Sequence, residues 1–385
     1  MKLGKQIIAA TLATAIVLSV TACNKGEDGK EQAQTQGSES IKIAVVGPLT
    51  GDNAEYGLGF VQAAEMKAEE FNKSGGVLGK KIVIEKFDDK NSPEEGVSVA
   101  NKIVSAKDIK AVIGHFASGV CMAAAPLYNE NKILEISPSA SHPDYSSIGE
   151  YIIRNNTIIN KEAAASIDIA VDKFNKKRVG IISIKTDWGV STAAIVKQLI
   201  EKRKDGSKVV AHEEVIEGSD DYRPAITKLK EAGTEVVIAV GMYNLLAPVA
   251  KQYKEVDPDI KLVGFSNAYS QYLLELGGKS VEGVAFPVIF FSKSNEENIK
   301  TFVHDFKEKY GNEPSALTAQ AYDSVGVYLQ AVAKVGSQDP EKVKNAVLEL
   351  EYEGVTGHTK FDKNGDVEKA FTYVVIENGQ FGLLK

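Results

Sequence analysis

The chain has 385 residues, of which 43% are hydrophobic and 25% are charged, and its formal net charge is −7 at pH 7. This composition is typical of a globular protein, and the length exceeds what one hydrophobic core usually serves, so we expect two lobes. The negative charge gives no electrostatic footprint for nucleic acid and no polybasic face for anionic lipid, so we predict neither as a partner.

The first 22 residues differ in type from the rest of the chain. Two lysines precede an apolar run over residues 7–22, which is shorter than the ~20 residues that a membrane-spanning helix needs. A positive start and a short apolar core describe a signal peptide over residues 1–22. The letters LSVTAC, which end at Cys23, resemble the bacterial lipobox, so we predict that Cys23 carries lipid, including palmitate. The alternative is an ordinary secretory signal with a chance cysteine.

Residues 23–40 join the predicted lipid anchor to the rest of the chain. After Cys23 they are polar and lack large apolar side chains, so they cannot bury enough surface to offset the entropy lost on ordering. We predict a flexible tether that holds a domain off the membrane. The predicted localisation is extracytoplasmic, with the lipid in the cell membrane, on its outer face or on the periplasmic side.

Strands and helices alternate along the remaining chain. A first run has strands at 41–46, 81–87, 110–114 and 133–137, with helices at 55–72, 93–105 and 118–129. A second run has helices at 161–174, 190–202, 222–232 and 245–256, with strands at 178–184, 208–215, 235–240 and 260–264. The last third has helices at 295–310, 315–335 and 340–350, a turn at 361–365 and a strand at 371–376. The pattern predicts an α/β fold with two doubly wound lobes and parallel sheets.

The sequence shows no catalytic or metal-binding signature. No two of the five histidines are spaced i,i+4. Residues 57–59 lack the third glycine of a dinucleotide fingerprint, residues 264–268 lack the last glycine of a nucleophile elbow, and residues 362–366 lack the glutamate of a calcium loop. We therefore predict a protein that is not an enzyme and needs no cofactor or metal. An extracellular enzyme is an alternative that requires a catalytic group still to be found.

Small polar residues follow three strands of the first run, in the loops 47–51, 114–119 and 137–141. In open α/β sheets, ligands bind outside the carboxyl ends of the strands. Backbone N–H groups at a helix start, with serine hydroxyls beside them, suit a carboxylate. Each loop taken singly is also compatible with a helix cap or a plain turn. Together they predict an anion-binding site, which Trp188 and Tyr243 would face from the ends of second-run strands.

With these residues the chain resembles the substrate-binding lipoprotein of a branched-chain amino acid ABC transporter, a type I periplasmic binding protein like the Leu/Ile/Val-binding proteins. The resemblance covers about residues 41–383 and rests on IKIAVVGPLTG, NKSGGVLGKKI, VANKIVSAKDIKAVIGH, ISPSASHP and FDKNGD, in that order. It implies two Rossmann-like lobes that are joined by three hinge crossovers and close on a solute. The implied crossovers lie near 156–160, 285–290 and 366–370, and the implied lobes are 41–157 with 288–367 and 158–287 with 368–385.

The resemblance also implies where a ligand's carboxylate binds. Ser118 and Ser141 match positions that hold an α-carboxylate through a hydroxyl and a backbone N–H. Ala117, Ser139 and Ala140 lie beside them in sequence and are expected to contribute backbone or hydroxyl groups.

The remaining implied site residues surround the rest of the ligand. Tyr56 matches an aromatic that lines the side-chain pocket, and Trp188 and Tyr243 match aromatics that cover the ligand from the second lobe. Ser266 stands where the family has the acid that pairs with a ligand's ammonium. Unless Asp187 or another acid replaces it, this departure weakens the case for an amino acid. A charge-assisted hydrogen bond to a buried ammonium contributes about 1.5–3 kcal/mol.

A second departure concerns the disulfide of well-known relatives. Asn91 and Ala117 occupy its places, and with Cys23 lipidated Cys121 is left single. We predict that Cys121 is a small buried core side chain.

The implied function is that of a monomeric extracytoplasmic receptor. It would capture a small amphipathic carboxylate, by default a branched-chain or other apolar amino acid, and deliver it to the membrane subunits of an ABC importer. The serine at 266 keeps a non-amine ligand open, such as an aromatic or aliphatic acid or an amide. Because similar folds also sense ligands, a sensing domain that acts through a partner is a further alternative.

Overall fold

The computed structural model describes residues 40–385. The predictions for the signal peptide, for Cys23 and for the tether up to residue 39 lie outside the described residues. Between residues 40 and 385, no helix is both long and apolar enough to cross a membrane. In the same range, no group of His, Cys, Asp and Glu side chains is placed to hold a metal ion.

The first sheet is parallel throughout. Its strands are β1 Ile41–Gly47, β2 Ile82–Asp88, β3 Ile109–Ile113, β4 Leu134–Ser137 and β5 Ile152–Arg154, in the order β2-β1-β3-β4-β5. Helices α1 Ala54–Lys73, α2 Pro93–Ala106 and α3 Ser118–Glu130 connect the first four strands. The central strands β1 and β3 are rich in isoleucine and valine and are buried except at one lysine each, as parallel strands are when helices cover both faces.

The second sheet begins with five strands that run parallel. These are β6 Arg178–Ile184, β7 Lys208–Val215, β8 Val236–Val240, β9 Lys261–Val263 and β10 Ala285–Val288. The helices in this part are α4 Ile159–Asp168, α5 Asp187–Lys202, α6 Arg223–Glu231, α7 Tyr243–Val256 and α8 Gln271–Gly277. Helix α4 continues into a π-helical turn, Ile169–Lys173.

The last third of the chain first returns to the first sheet. Helices α9 Glu297–Tyr310, α10 Ala316–Val335 and α11 Pro340–Leu348 precede a hairpin of β11 Glu351–Gly354 and β12 Gly357–Lys360. Helix α10 packs on α1 and touches β3 and β4. The chain then adds β13 Thr372–Glu377 and β14 Gln380–Leu383 to the second sheet, whose order is β14-β13-β10-β9-β8-β6-β7. Strand β13 is antiparallel to both β10 and β14.

The two sheets confirm the predicted α/β fold of two doubly wound units. The chain passes between them three times, after β5, after β10 and before β13, as the three crossovers require. The exact lobe boundaries stay a prediction. Cys121 is fully buried and its thiol is free, as predicted. Burial raises the pKa of this thiol well above its usual value.

A buried arginine fastens the third passage between the sheets. The side chain of Arg154, at the end of β5, is fully buried, and its Nε donates to Asp366 Oδ1 at 2.6 Å. Its Nη1 donates to the carbonyl of His142 at 2.7 Å. The hydroxyl of Ser146 donates to the same carboxylate at 2.6 Å. Arg154 therefore ties the loop after Ser141 to the turn that precedes β13.

Candidate functional site

A cavity of about 280 Å³ lies between the two sheets, at the carboxyl ends of their strands. The first sheet lines it with loops that follow β3 and β4. The second sheet lines it with segments that follow β6, β7, β8 and β9. The structure thus brings together the predicted loops after β3 and β4 and the strand ends after β6 and β8, which is where an open α/β sheet binds ligands. The loop 47–51, which the sequence also singled out, does not line the cavity. Of the nine predicted ligand-binding residues, six line the cavity: Ala117, Ser118, Ser139, Ser141, Trp188 and Ser266.

The first-sheet wall of the cavity is made of hydroxyls and backbone N–H groups. Ser118 is the first residue of α3, is buried, and accepts a hydrogen bond from the N–H of Ser141 at 3.3 Å. Ser137 shapes the second loop, because its Oγ accepts the N–H of Ala140 at 2.9 Å and that of Ser139 at 3.3 Å. Ala140 itself is fully buried and does not line the cavity. Orphan N–H groups at the start of α3 make this wall suitable for a carboxylate.

Trp188 reaches from the second sheet to the first-sheet wall of the cavity. It lies in the first turn of α5, which begins where Thr186 Oγ1 accepts the N–H of Gly189 at 3.2 Å. The indole Nε1–H donates to Ser141 Oγ at 3.0 Å, and the ring packs edge-on against Phe265. Trp188, which comes from the second sheet, therefore covers the first-sheet wall of the cavity.

Tyr56 and Tyr243 lie behind the cavity wall rather than on it. The ring of Tyr56 stacks on Phe116 with centroids 4.3 Å apart, and its hydroxyl donates to the carbonyl of Asn267 at 2.8 Å. The hydroxyl of Tyr243 donates to the carbonyl of Asp52 at 3.4 Å. Burial raises the pKa of Tyr243 to about 12 and that of Tyr56 well above its usual value, so both stay protonated donors. Each joins a segment after β1 to one on the second sheet.

Glu162 supplies an acid beside the serine at 266. It lies on α4, is 3% exposed and lines the cavity. Its Oε1 accepts the backbone N–H of Ser266 at 2.5 Å. Burial raises the pKa of Glu162 to about 7, and the hydrogen bond from Ser266 opposes that rise. The carboxylate that the family resemblance places at 266 is therefore present in space, but it comes from another element.

Sequence reasoning missed Glu162, although a signal existed. Glu162 is the only acid on the inward face of α4, where it shares a buried stripe with Ile159, Ala163 and Ser166 at helical spacing. A lone acid in such a stripe indicates a paired or functional carboxylate rather than a solvated one.

The cavity is acidic. Glu162, Asp187 and Glu217 line it, and no described residue on its wall is a lysine, arginine or histidine. Burial raises the pKa of Glu217 as well. Low-polarity surroundings strengthen the attraction between these carboxylates and a positive group. The arrangement favours a ligand that brings at least one positive charge.

Comparison with known proteins identifies the family. A family model described as periplasmic binding protein matches residues 40–380. The Leucine-, isoleucine-, valine-, threonine-, and alanine-binding protein of Pseudomonas aeruginosa is 30% identical over 341 residues, covering 88% of this chain and 90% of that protein. The Leu/Ile/Val-binding protein homolog 1 of Brucella abortus is 34% identical over 331 residues, covering 85% and 87%.

A solved structure agrees with these relatives. The branched-chain amino acid transporter substrate-binding protein LivJ of Streptococcus pneumoniae, in complex with isoleucine, superposes with a TM-score of 0.83 at 25% identity. The match covers 89% of this chain and 97% of LivJ. These findings confirm both the predicted fold class and the resemblance in sequence. The chain belongs to the periplasmic binding protein family.

Proposed function

We propose that this protein is an extracytoplasmic receptor that captures an amino acid between its two lobes and delivers it to the membrane subunits of an ABC importer. The observation that carries the proposal is the pairing of two walls in one cavity. The loops of Ser118 and Ser141 offer donors on the first sheet, and the buried carboxylate of Glu162 faces the same space. The relatives named above, which bind branched-chain and other small amino acids, support the same class of ligand.

The two walls match the two charges of a free amino acid. The start of α3 and the serine hydroxyls suit the α-carboxylate. The Glu162 carboxylate suits the α-ammonium, and hydrogen bonds between charged groups of this kind are shorter and stronger than neutral ones. A simple acid such as benzoate would leave Glu162 without a cation and would add a negative charge to an acidic cavity. Glu162 therefore supports an amine-bearing ligand over a non-amine one, although residue 266 is a serine.

A thermal-shift panel tests this proposal. Amino acids are expected to raise the melting temperature, because a ligand at 100 times its Kd stabilises the folded state by about 2.7 kcal/mol. Each amino acid is compared with its deaminated analogue, for example leucine with 4-methylpentanoate, and benzoate is included as an aromatic acid. The deaminated compounds are expected to give no shift. Equal shifts from leucine and 4-methylpentanoate would assign a non-amine ligand instead.

We infer that Tyr56 and Tyr243 act in lobe closure rather than in direct contact with the ligand. Their hydroxyls, the Trp188 indole and the hydroxyl of Ser270, which donates to Glu55 Oε1 at 2.6 Å, all bridge first-sheet and second-sheet segments. These bonds join the two lobes beside the cavity, and we propose that they form when the lobes close. Residues 41–157 with 288–367, and residues 158–287 with 368–385, are the lobes that we propose move against each other.

We also propose that Cys23 is lipidated and that the monomeric receptor is held beside its importer by this anchor. Cys23→Ser is expected to abolish incorporation of a palmitate analogue during growth and to release the protein from the membrane fraction. Cys121→Ser is the matched control, since Cys121 is buried in the folded domain, and it is expected to keep both label and membrane association. Retention of the Cys23→Ser protein in the membrane fraction, with label, would contradict the anchor.

A further inference from the structure

A group of buried polar atoms around Glu217 has no assigned role. Glu217 lies in the segment between β7 and α6 and lines the cavity, and its Oε1 is buried without a hydrogen-bond partner among the described residues. Burial raises the pKa of this carboxyl, and the side-chain amides of Asn53 and Asn244 beside it act against the rise. We call Glu217, Asn53, Asn244 and Asn267 the polar wall.

Each member of the polar wall comes from the end of a different strand. Asn53 precedes α1 and is 8% exposed, and its Oδ1 is buried and unpartnered within residues 40–385. Asn244 is in the first turn of α7 with its amide beside Glu217, and its Oδ1 is buried without a partner in the same range. Asn267 follows β9 and lines the cavity, and its Oδ1 is also buried without a hydrogen-bond partner among the described residues. Glu217 and Asn267 line the cavity itself, whereas Asn53 and Asn244 lie behind the cavity wall, beside Glu217.

Such atoms are costly unless something pairs with them. A buried polar group that lacks a partner destabilises the folded protein, and most buried polar groups in folded proteins have one. An aliphatic side chain placed here would remove water from these atoms and offer nothing in return. A ligand group that forms hydrogen bonds with them would be favoured over an apolar group of the same size.

The chemistry of the polar wall indicates what that group is. The unpartnered atoms are mainly acceptors: a carboxylate oxygen of Glu217 and the amide oxygens of Asn53, Asn244 and Asn267. The cavity wall also carries Glu162 and Asp187, and none of its described residues is basic. Acceptors in an acidic, partly enclosed space match a donor that is positively charged.

We propose that the polar wall is a second subsite, which takes a cationic, hydrogen-bond-donating group at the far end of the ligand. The ligand class is then an amino acid with a positively charged side chain, rather than a branched apolar one. This inference rests on the proposed function, in which the loops of Ser118 and Ser141 hold the α-carboxylate and Glu162 pairs with the α-ammonium. It narrows the ligand that the family resemblance suggests by default.

Calorimetry with the full chain in detergent tests the subsite through a matched ligand pair. Lysine and norleucine share a carbon chain, and only lysine ends in an ammonium. We expect lysine, or the shorter ornithine, to bind at least tenfold more tightly than norleucine. Salt is expected to change this preference little, because an enclosed charge pair is screened much less than an exposed one.

Two variants assign the preference to the polar wall. Glu217→Gln is expected to reduce the lysine-to-norleucine affinity ratio about tenfold, and Asn267→Leu, at the other cavity-lining member, to reduce it independently. Glu214→Gln is the matched control: it removes the same charge from an exposed position on β7 that does not line the cavity, and it keeps the ratio.

Each outcome decides the proposal. If norleucine or leucine binds more tightly than every cationic amino acid, or if Glu217→Gln and Asn267→Leu both keep the ratio, the cationic subsite is wrong while the amino-acid receptor stands. If no amino acid of either class binds, the proposed function fails and the subsite fails with it.

Discussion

Replacing Glu162 by glutamine is expected to weaken amino-acid binding by about 1.5–3 kcal/mol, roughly 10- to 150-fold in Kd. The carboxylate is buried on α4 and lines the cavity, so an ammonium beside it has little water to replace the lost charge. Glutamine keeps the size of the side chain and an acceptor for the N–H of Ser266. Titration calorimetry at pH 8 measures the change. Unaltered affinity in the Glu162→Gln protein would mean that the ammonium pairs elsewhere.

The same residue predicts how binding depends on pH. The pKa of Glu162 is raised to about 7 without ligand, so part of the protein carries a neutral carboxyl below that pH. An ammonium beside the group favours its charged form and lowers its pKa. Affinity is therefore expected to rise as pH increases from about 6 to about 8, then to level off, with proton release on binding at the lower pH. Norleucine is the probe, because its side chain places no charge near Glu217.

A control is needed because another acid titrates in the same range. Burial raises the pKa of Glu55 to about 7, and the hydrogen bond from Ser270 opposes the rise. Glu55 does not line the cavity. Glu55→Gln is therefore expected to keep most of the pH dependence, whereas Glu162→Gln removes it. The reverse result would assign the pH dependence to closure of the lobes rather than to the ammonium site.

Most of the fold could be predicted because its signals are local. Strands such as β6 are short β-branched runs, and the helices between them have regular apolar spacing, so the alternation is visible in the letters. Five short strands were missed, β5, β10, β11, β12 and β14, although the equally short β4 and β9 were predicted, so length alone is not the reason. Strands β5 and β10 are completed by pairing with β4, β9 and β13. Their existence depends on contacts that are distant in sequence.

In the candidate site, too, the residues with a local sequence signal could be predicted and those brought together by distant contacts could not. The loops of Ser118 and Ser141 could be predicted because each directly follows a strand whose end faces the cavity. Glu162 could not be paired with Ser266 from sequence, since 104 positions separate them and only packing of α4 brings them together. The polar wall has no local pattern at all, because its four residues come from four strand ends. Family resemblance placed Tyr56 and Tyr243 on the wall, whereas stacking on Phe116 and a hydrogen bond to Asp52 hold them behind it.

Arg154→Met is expected to lower the free energy of unfolding by about 3–5 kcal/mol, the usual cost of removing one partner from a buried ion pair. The change leaves the Asp366 carboxylate without its cation and the carbonyl of His142 without its donor. Because His142 follows Ser141 directly, the loop that carries the carboxylate site loses its support, and ligand affinity should fall together with stability. Urea denaturation followed by circular dichroism measures the first effect, and calorimetry the second.

Arg223→Met is the matched control for this variant. Arg223 pairs with Glu255 at 3.0 Å, but both side chains are more than half exposed, so its loss should cost under ~1 kcal/mol. Equal destabilisation by the two variants would show that burial of Arg154 adds nothing. Asp366→Leu combined with Arg154→Met is expected to recover part of the stability, because it removes the unpaired charge as well. If stability returns while ligand affinity stays low, Arg154 positions the binding loop through its bond to His142, and the ion pair alone accounts for the folding cost.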